Sequence, residues 1–444
     1  MSTRPPDKET SGPPYQSVKG MRDLIGEDWF RMQGFFEKAS EIALYYGFTP
    51  IEVPMLEDEQ VFIRTIGETS EVVSKELYSL QTKGGSKLAI RPEFTAGIVR
   101  AYIEHGMQTL PQPVMLMTYG PLFRHDKPQR GRYRELYQFG MEILGSDRSI
   151  NDVTIIRVVS DILNEVGLTN HFYKINSLGD KDCRMNHKKA LIAYYKRFQK
   201  DLSPRSRELL KTNPLRILDS KEPSDVALKE EAPASMSYLS GPSKQHFKEV
   251  LECLEALNIA YEVDPALVRG LDYYNRTVFE YFIPNQETDE SADNDKPQRE
   301  PIALGGGGRY DYLAKILGAK RDVPAVGVGM GVDRITEGSG YKFVCPRVQK
   351  KARGYFIQLG AEAKMRSLTV IEVLRTAKFP IAHSLSKDSL GAQLGRAEEL
   401  GIPYAIILGQ KEVMENSVIV RNMQTRSQDS VKLEKLTEYV KKLK

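Results

Sequence analysis

The segment "VPAVGVGMGVDRIT" limits this chain more than any other. Gly327, Gly329 and Gly331 alternate with Val328 and Met330 and run into Asp333 and Arg334. Successive side chains of an extended chain point to opposite faces. The segment therefore reads as a strand with one apolar face and one face stripped of side chains. Glycine in a strand costs backbone entropy, and a plain buried strand has no reason to contain three. The bare face suits a flat ring, and Arg334, opening the next helix, would reach an attached phosphate.

A second strand, "YRELYQFGMEILG", carries a matching pattern. Arg134, Leu136, Gln138, Gly140 and Glu142 share one face, whereas Tyr133, Tyr137, Phe139, Met141 and Ile143 share the other. Gly140 leaves a gap in the polar face that could admit a ligand with hydrogen-bonding groups at both ends. Gln138 and Glu142 are about 13 Å apart at strand rise. Together with "PVMLMTYGPLF" this makes two strands around a basic loop from Arg124 to Arg134. "LAIRPEFTAG" puts Glu93 and Thr95 where a strand yields to a helix; an acid and a hydroxyl there suit an ammonium, or Thr95 caps the helix. In "ALVRGLDYYNRTVFEYF", Arg269 on a glycine turn beside Tyr273 and Tyr274 suits an anion held with a polar ring. "ALGGGGRYDYLAKIL" lacks the Gly-Lys-Ser/Thr of a nucleotide P-loop. It reads either as a flexible turn or as backbone that comes close to a flat ligand.

Around these motifs, helical spacing runs from Met32 to Tyr46, and "TPIEVPML" is a short strand whose Pro54 suits an edge. Residues of about 183–260 read as a helix-rich, charged insertion, and the acidic run 284–301 as a mobile loop. From Arg353, alternating strands and helices make a small α/β domain. The Pro-rich start, residues 1–16, reads as a flexible tail and not as a signal peptide. Cys183, Cys253 and Cys345 have no metal-binding spacing, so no metal site is expected and a reduced, cytoplasmic protein is the default. A net charge of +4 permits nucleic-acid binding without arguing for it. No apolar run reaches membrane-spanning length.

Taken together the motifs resemble class II aminoacyl-tRNA synthetases, and within them the histidyl-tRNA synthetases. "FRHDKPQRGRYRELYQFGME" resembles motif 2, "VGVGMGVDR" resembles motif 3, and the helix through Gly47 with Pro54 looks like the dimer-forming motif 1. "LVRGLDYY" and "GGGGRYD" resemble signatures particular to the histidyl enzymes, and "KGMRDLIGED" resembles their opening. The resemblance implies an α+β fold. A class II antiparallel-sheet catalytic domain over 17–340, with a helical insertion, would precede a C-terminal α/β anticodon-binding domain over 350–444.

It also implies roles. Arg269 and Arg124 would act on the α-phosphate of ATP. Arg132, Tyr133, Leu136 and Arg334 would complete the ATP site, with Mg2+ bridging the β- and γ-phosphates. Glu93, Thr95 and Gln138 would hold the amino group of histidine, Tyr274 with Glu142 would bind its imidazole, and Tyr273 would belong to the same histidine site. Lys127, Gln129 and Arg130 would meet the acceptor end of tRNA(His). The protein would be a homodimeric histidine–tRNA ligase. Phe94, Leu136 and Asp333 depart from the family's usual Gly, Phe and Glu. The rival reading is a non-catalytic paralogue serving as a regulatory subunit in histidine biosynthesis; such relatives tend to lose these residues and the terminal domain.

Overall fold

The computed structural model describes residues 15–68, 70–127, 131–284 and 300–443. Most of the expected tail, the loop-tip residues Gln129 and Arg130, and nearly all of the acidic run 284–301 lie outside the described residues. The chain divides into two compact units, one ending at Pro346 and one beginning at Arg347.

The first unit is organised by an eight-stranded, mainly antiparallel sheet. Its order is Thr49–Pro50, Val114–Phe123, Glu135–Leu144, Ala325–Gly331, Ile302–Arg309, Asn275–Ile283, Phe172–Ser177 and Tyr261–Val263. The two-residue strand with Pro50 lies at an edge, pairing with Leu116 and Met117. At the centre, Glu142 faces Gly327, Gly140 faces Gly329 and Gln138 faces Gly331. Phe139, Met141 and Ile143 turn the other way and are fully buried with Val326 and Met330. Helices Glu27–Tyr45 and Ser149–Glu165 cover that face with Phe35, Phe36, Ile155 and Val159. Burying such a side chain stabilises by about 1.5–3 kcal/mol. A one-residue slip would bring Gln138 and Glu142 into this core, so the register is strongly specified.

The polyglycine segment is not a turn. Ile302–Arg309 is an interior strand, with Gly306 opposite Gly329 on one side and Glu280 on the other. A Cβ on Gly306 would lie 2.5 Å from the Phe279 carbonyl oxygen and 2.6 Å from Arg269 Nη1. Close approach of backbone, not freedom to turn, explains the glycines. The helix-rich segment, from Lys181–Arg197 to Gly241–Ala256, is built into this unit. Leu191, Tyr195 and Ile217 share a core with Phe94 and Tyr274, and Phe247 and Val250 join the core under the sheet.

The second unit has a five-stranded sheet in the order Ile381–His383, Gly354–Gln358, Tyr404–Leu408, Ser417–Asn422 and Gln428–Lys432. The first three strands are parallel and the last two antiparallel. Helices Ala361–Thr376 and Leu433–Lys442 bury Val370, Leu374, Leu436 and Val440 against it.

Candidate active site

Two adjoining cavities open on the bare face of the central strands. The outer one, about 370 Å³, is lined by Arg124, Arg132, Tyr133, Leu136, Arg269 and Arg334, with Glu76, Asp219 and Glu280 among its acids. The inner one is lined by Glu93, Phe94, Thr95, Gly140, Glu142, Tyr273 and Tyr274. Arg124, Gln138, Arg269 and Leu271 line both. Residues far apart in the chain thus converge on one cleft, some from neighbouring strands of the sheet and others, such as Glu93, Thr95, Arg269 and Tyr274, from the segments that flank it.

Glu142 is the polar centre of the inner cavity and is 2% exposed. The Thr95 hydroxyl donates to its Oε1 at 2.7 Å, and the Tyr310 hydroxyl donates to Oε2. Burial pushes the carboxyl up to about 8; the two hydroxyl donors pull the other way, and Glu93 adds to the rise. The glycines opposite make room for this group. A Cβ on Gly327 would collide with Glu142 Oε2 and lie 2.9 Å from the Met141 carbonyl oxygen; one on Gly329 would lie 2.5 Å from Gln138 Nε2. The face stripped by the motif 3 glycines is therefore covered by side chains from motif 2. Gly327→Ala is expected to cost about 1–3 kcal/mol of stability by overpacking. Chemical denaturation of the variant checks this, and an unchanged midpoint would show that Glu142 moves aside freely.

Glu93, not Thr95, caps the helix Thr95–Glu104. Its carboxylate accepts from the Thr95 amide at 2.6 Å and the Ala96 amide at 2.9 Å. Burial raises its pKa against those donors. The Thr95 side chain is left for Glu142. Phe94 is buried, packs under the Arg91 guanidinium 4.8 Å from its ring, and borders the gap at Gly140. A side chain in place of glycine thus becomes part of the cavity wall.

Arg269 bridges the cavities and pairs through Nη1 with Glu280. Burial works against its charge, but Glu280 and the Tyr274 phenol more than offset it and the net shift is upward. Its Nε is buried without a hydrogen-bond partner among the described residues. Arg124 Nε donates to the Pro92 carbonyl at 2.9 Å, which aims the guanidinium across the cleft. Arg334 donates from Nε to Gly131 O at 3.1 Å and from Nη1 to Ala303 O at 2.8 Å. Burial, then the charge of Arg132, lowers its pKa. Arg132 pairs with Asp126 at 3.1 Å.

Tyr133 is not free: its hydroxyl donates to Glu337 at 2.9 Å, and the Arg22 guanidinium lies 3.8 Å over its ring. The phenol that donates to Glu142 is that of Tyr310, and Tyr274 lines the same inner cavity. Lys127 is exposed, and its amide donates to Asp126. Asp333 accepts from Arg22 and from the Tyr137 amide at 2.7 Å, so it ties the opening segment to motifs 2 and 3. Sequence reasoning missed Tyr310, Glu280 and Arg22 as site residues. Glu280 did leave a signal, since it is the one charged residue in the apolar run Thr277–Ile283.

A family model described as histidyl-tRNA synthetase matches residues 20–179 and 183–335, and one described as anticodon binding domain matches 348–443. The chain is 37% identical over 425 residues to a histidine–tRNA ligase of Lactococcus lactis, covering 95% of this chain and 96% of that one. It is 36% identical to one of Dehalococcoides mccartyi, covering 96% and 99%. The solved structure of apo Staphylococcus aureus histidyl-tRNA synthetase superposes with a TM-score of 0.77 at 27% identity, covering 97% of this chain and all of that one. A Bacillus halodurans structure titled ATP phosphoribosyltransferase regulatory subunit/histidyl-tRNA synthetase reaches a TM-score of 0.60 at 19% identity and shares the fold. With both of its units matched and relatives aligned over nearly its whole length, the chain belongs to the histidyl-tRNA synthetase family.

Proposed function

We propose that the inner cavity holds histidine and the outer cavity holds ATP, and that this histidine–tRNA ligase forms histidyl-adenylate where they meet. The observation that carries the reading is the sharing of Arg124, Gln138 and Arg269 between a cavity centred on one buried carboxyl and a cavity lined with arginines. Glu142 would take the imidazole, with Tyr274 beside it, while Glu93, Thr95 and Gln138 serve the ammonium end. The histidine carboxylate would then attack the α-phosphate between Arg124 and Arg269, and pyrophosphate would leave toward Arg334. Fixed guanidinium groups stabilise the charge that spreads over the phosphoryl oxygens. Magnesium would neutralise phosphate charge, with Glu76 of the outer cavity as a hard oxygen donor of the kind it prefers.

In the second step the terminal adenosine of tRNA(His) would accept the histidyl group. Arg132 and Lys127 stand at the mouth of the motif 2 loop, whose tip with Gln129 and Arg130 would face the acceptor end. The second unit would bind the anticodon. A second copy of the chain would cover the apolar residues left exposed near motif 1, Trp29, Leu44, Tyr45, Met55 and Leu56. No helix among the described residues is long and apolar enough to cross a membrane, which fits work in the cytoplasm.

Histidine-dependent exchange of pyrophosphate into ATP tests the reading. Exchange with histidine, absent with threonine or proline, is expected; no exchange from folded protein would favour the regulatory paralogue. The pH dependence is specific too. Free imidazole titrates at about 6.5 and Glu142 at about 8 in the empty site. A bound pair holding one proton forms without net proton exchange between those values. Below about 6.5 a proton must be released, and above about 8 one must be taken up. The apparent KM for histidine is expected to be lowest between them and to rise about tenfold per pH unit outside. A KM that is flat from pH 5.5 to 9 would show that the pair does not share a proton.

A further inference from the structure

A buried clasp joins the two histidyl signatures one residue away from the tyrosines that matter. Asn275 follows Tyr274, and Asp311 follows Tyr310. The Asp311 amide donates to Asn275 Oδ1 at 2.7 Å, and Asn275 Nδ2 donates to Asp311 Oδ2 at 2.8 Å. Asn275 is fully buried and Asp311 is 6% exposed. The other carboxylate oxygen, Oδ1, accepts from Arg309 Nε and from the Ala325 amide, both at 3.1 Å. Ala325 opens the glycine strand. Every polar atom of the pair's side chains has a partner, and these link the three central strands.

The backbone is shaped around this pair. The ladder between Asn275–Ile283 and Ile302–Arg309 shifts once between Ala303 and Gly305, runs regularly from Gly305 opposite Tyr281 to Gly308 opposite Val278, then shifts again so that Arg309 faces Asn275. Arg276, within that irregularity, has φ 47°, a left-handed conformation uncommon for a side-chain-bearing residue. Its amide donates to Gly179 O at 2.7 Å. Bulges of this kind re-aim side chains and are enriched beside active sites, and local strain persists only where its surroundings over-determine it.

We propose that Asn275 and Asp311 are positioning residues for histidine recognition, a clasp that sets Tyr274 and Tyr310 about Glu142 so that the imidazole slot exists before substrate arrives. This rests on the placement of histidine above. Neither residue of the clasp lines either cavity. The clasp acts through the two phenols, so its loss should weaken histidine recognition and leave ATP recognition nearly unchanged.

The test is a swap. Asn275→Ala removes the clasp but leaves Asp311 with Arg309 and Ala325. Asp311→Asn sets amide against amide. The double variant Asn275→Asp/Asp311→Asn keeps an acceptor for the backbone amide of residue 311, can remake the side-chain hydrogen bond with its polarity reversed, and keeps one carboxylate near Arg309. In pyrophosphate exchange, each single variant is expected to raise the KM for histidine about tenfold or more, since misplacement of about 1 Å can cost that much. The KM for ATP should stay within about twofold, and the swap should restore the histidine KM to within about threefold, as a coupled pair requires. Thermal melts identify folded protein; if Asp311→Asn does not fold, Asn275→Ala and the swap decide. Parallel rises for histidine and ATP, no rise for histidine, or a swap as impaired as the singles would overturn the proposal. Glu142→Gln run beside them separates the two failures. If it weakens histidine and the clasp variants do not, the clasp alone is wrong; if none does, the histidine site is misplaced.

Discussion

Arg269→Ala is expected to slow adenylate formation by about 10²–10³ while histidine affinity stays within a few-fold. Removing one donor aimed at a developing oxyanion costs about 2.7–4 kcal/mol in the transition state. Here the loss has a second part. Glu280, paired with Arg269 and lining the outer cavity, would be left as an uncompensated carboxylate facing the nucleotide phosphates. Arg269→Lys should recover only part of the rate, because an ammonium is a point charge and cannot hold Glu280 and a phosphoryl oxygen in one planar fork. Arg269→Ala/Glu280→Gln should be faster than Arg269→Ala alone. Single-turnover activation measures all three. An Arg269→Ala rate within a few-fold of the parent would remove this arginine from the chemistry.

Glu142→Gln is expected to raise the KM for histidine roughly ten- to hundredfold and to leave that for ATP nearly unchanged. A hydrogen bond to a charged group contributes about 1.5–3 kcal/mol. Glutamine keeps the volume and can still accept from one hydroxyl. Its NH2 group, however, must face either Thr95 or Tyr310, both of which now donate to the carboxyl. The pH profile gives an independent reading, since the limb near pH 8 should vanish with the titrating carboxyl. A variant with normal histidine KM and poor folding would make Glu142 a structural residue and move the imidazole elsewhere.

Local rules were enough for much of this molecule. Strand alternation put Gln138, Gly140 and Glu142 on one face and Phe139, Met141 and Ile143 on the other, because that period belongs to the backbone itself. The same rule marked the motif 3 strand, and the basic loop, the Glu93–Thr95 junction and the α/β texture of the C-terminal part were equally plain. Polyglycine misled. A run of glycines is compatible with both a loop and a crowded strand, and only the neighbouring carbonyls and Arg269 decide between them.

Partnership was decided only by the tertiary structure. Tyr310 and Glu142 are 168 residues apart, and no local pattern says that this phenol donates to the carboxyl. Nor does the sequence say that Glu93 caps the helix and thereby frees Thr95, or that Asn275 and Asp311 lock together. The residue types and the chemistry they can perform follow from covalent structure and backbone period. Which of them meet, how deeply they are buried and so where Glu142 titrates follow from sheet register and packing, which the whole core sets at once.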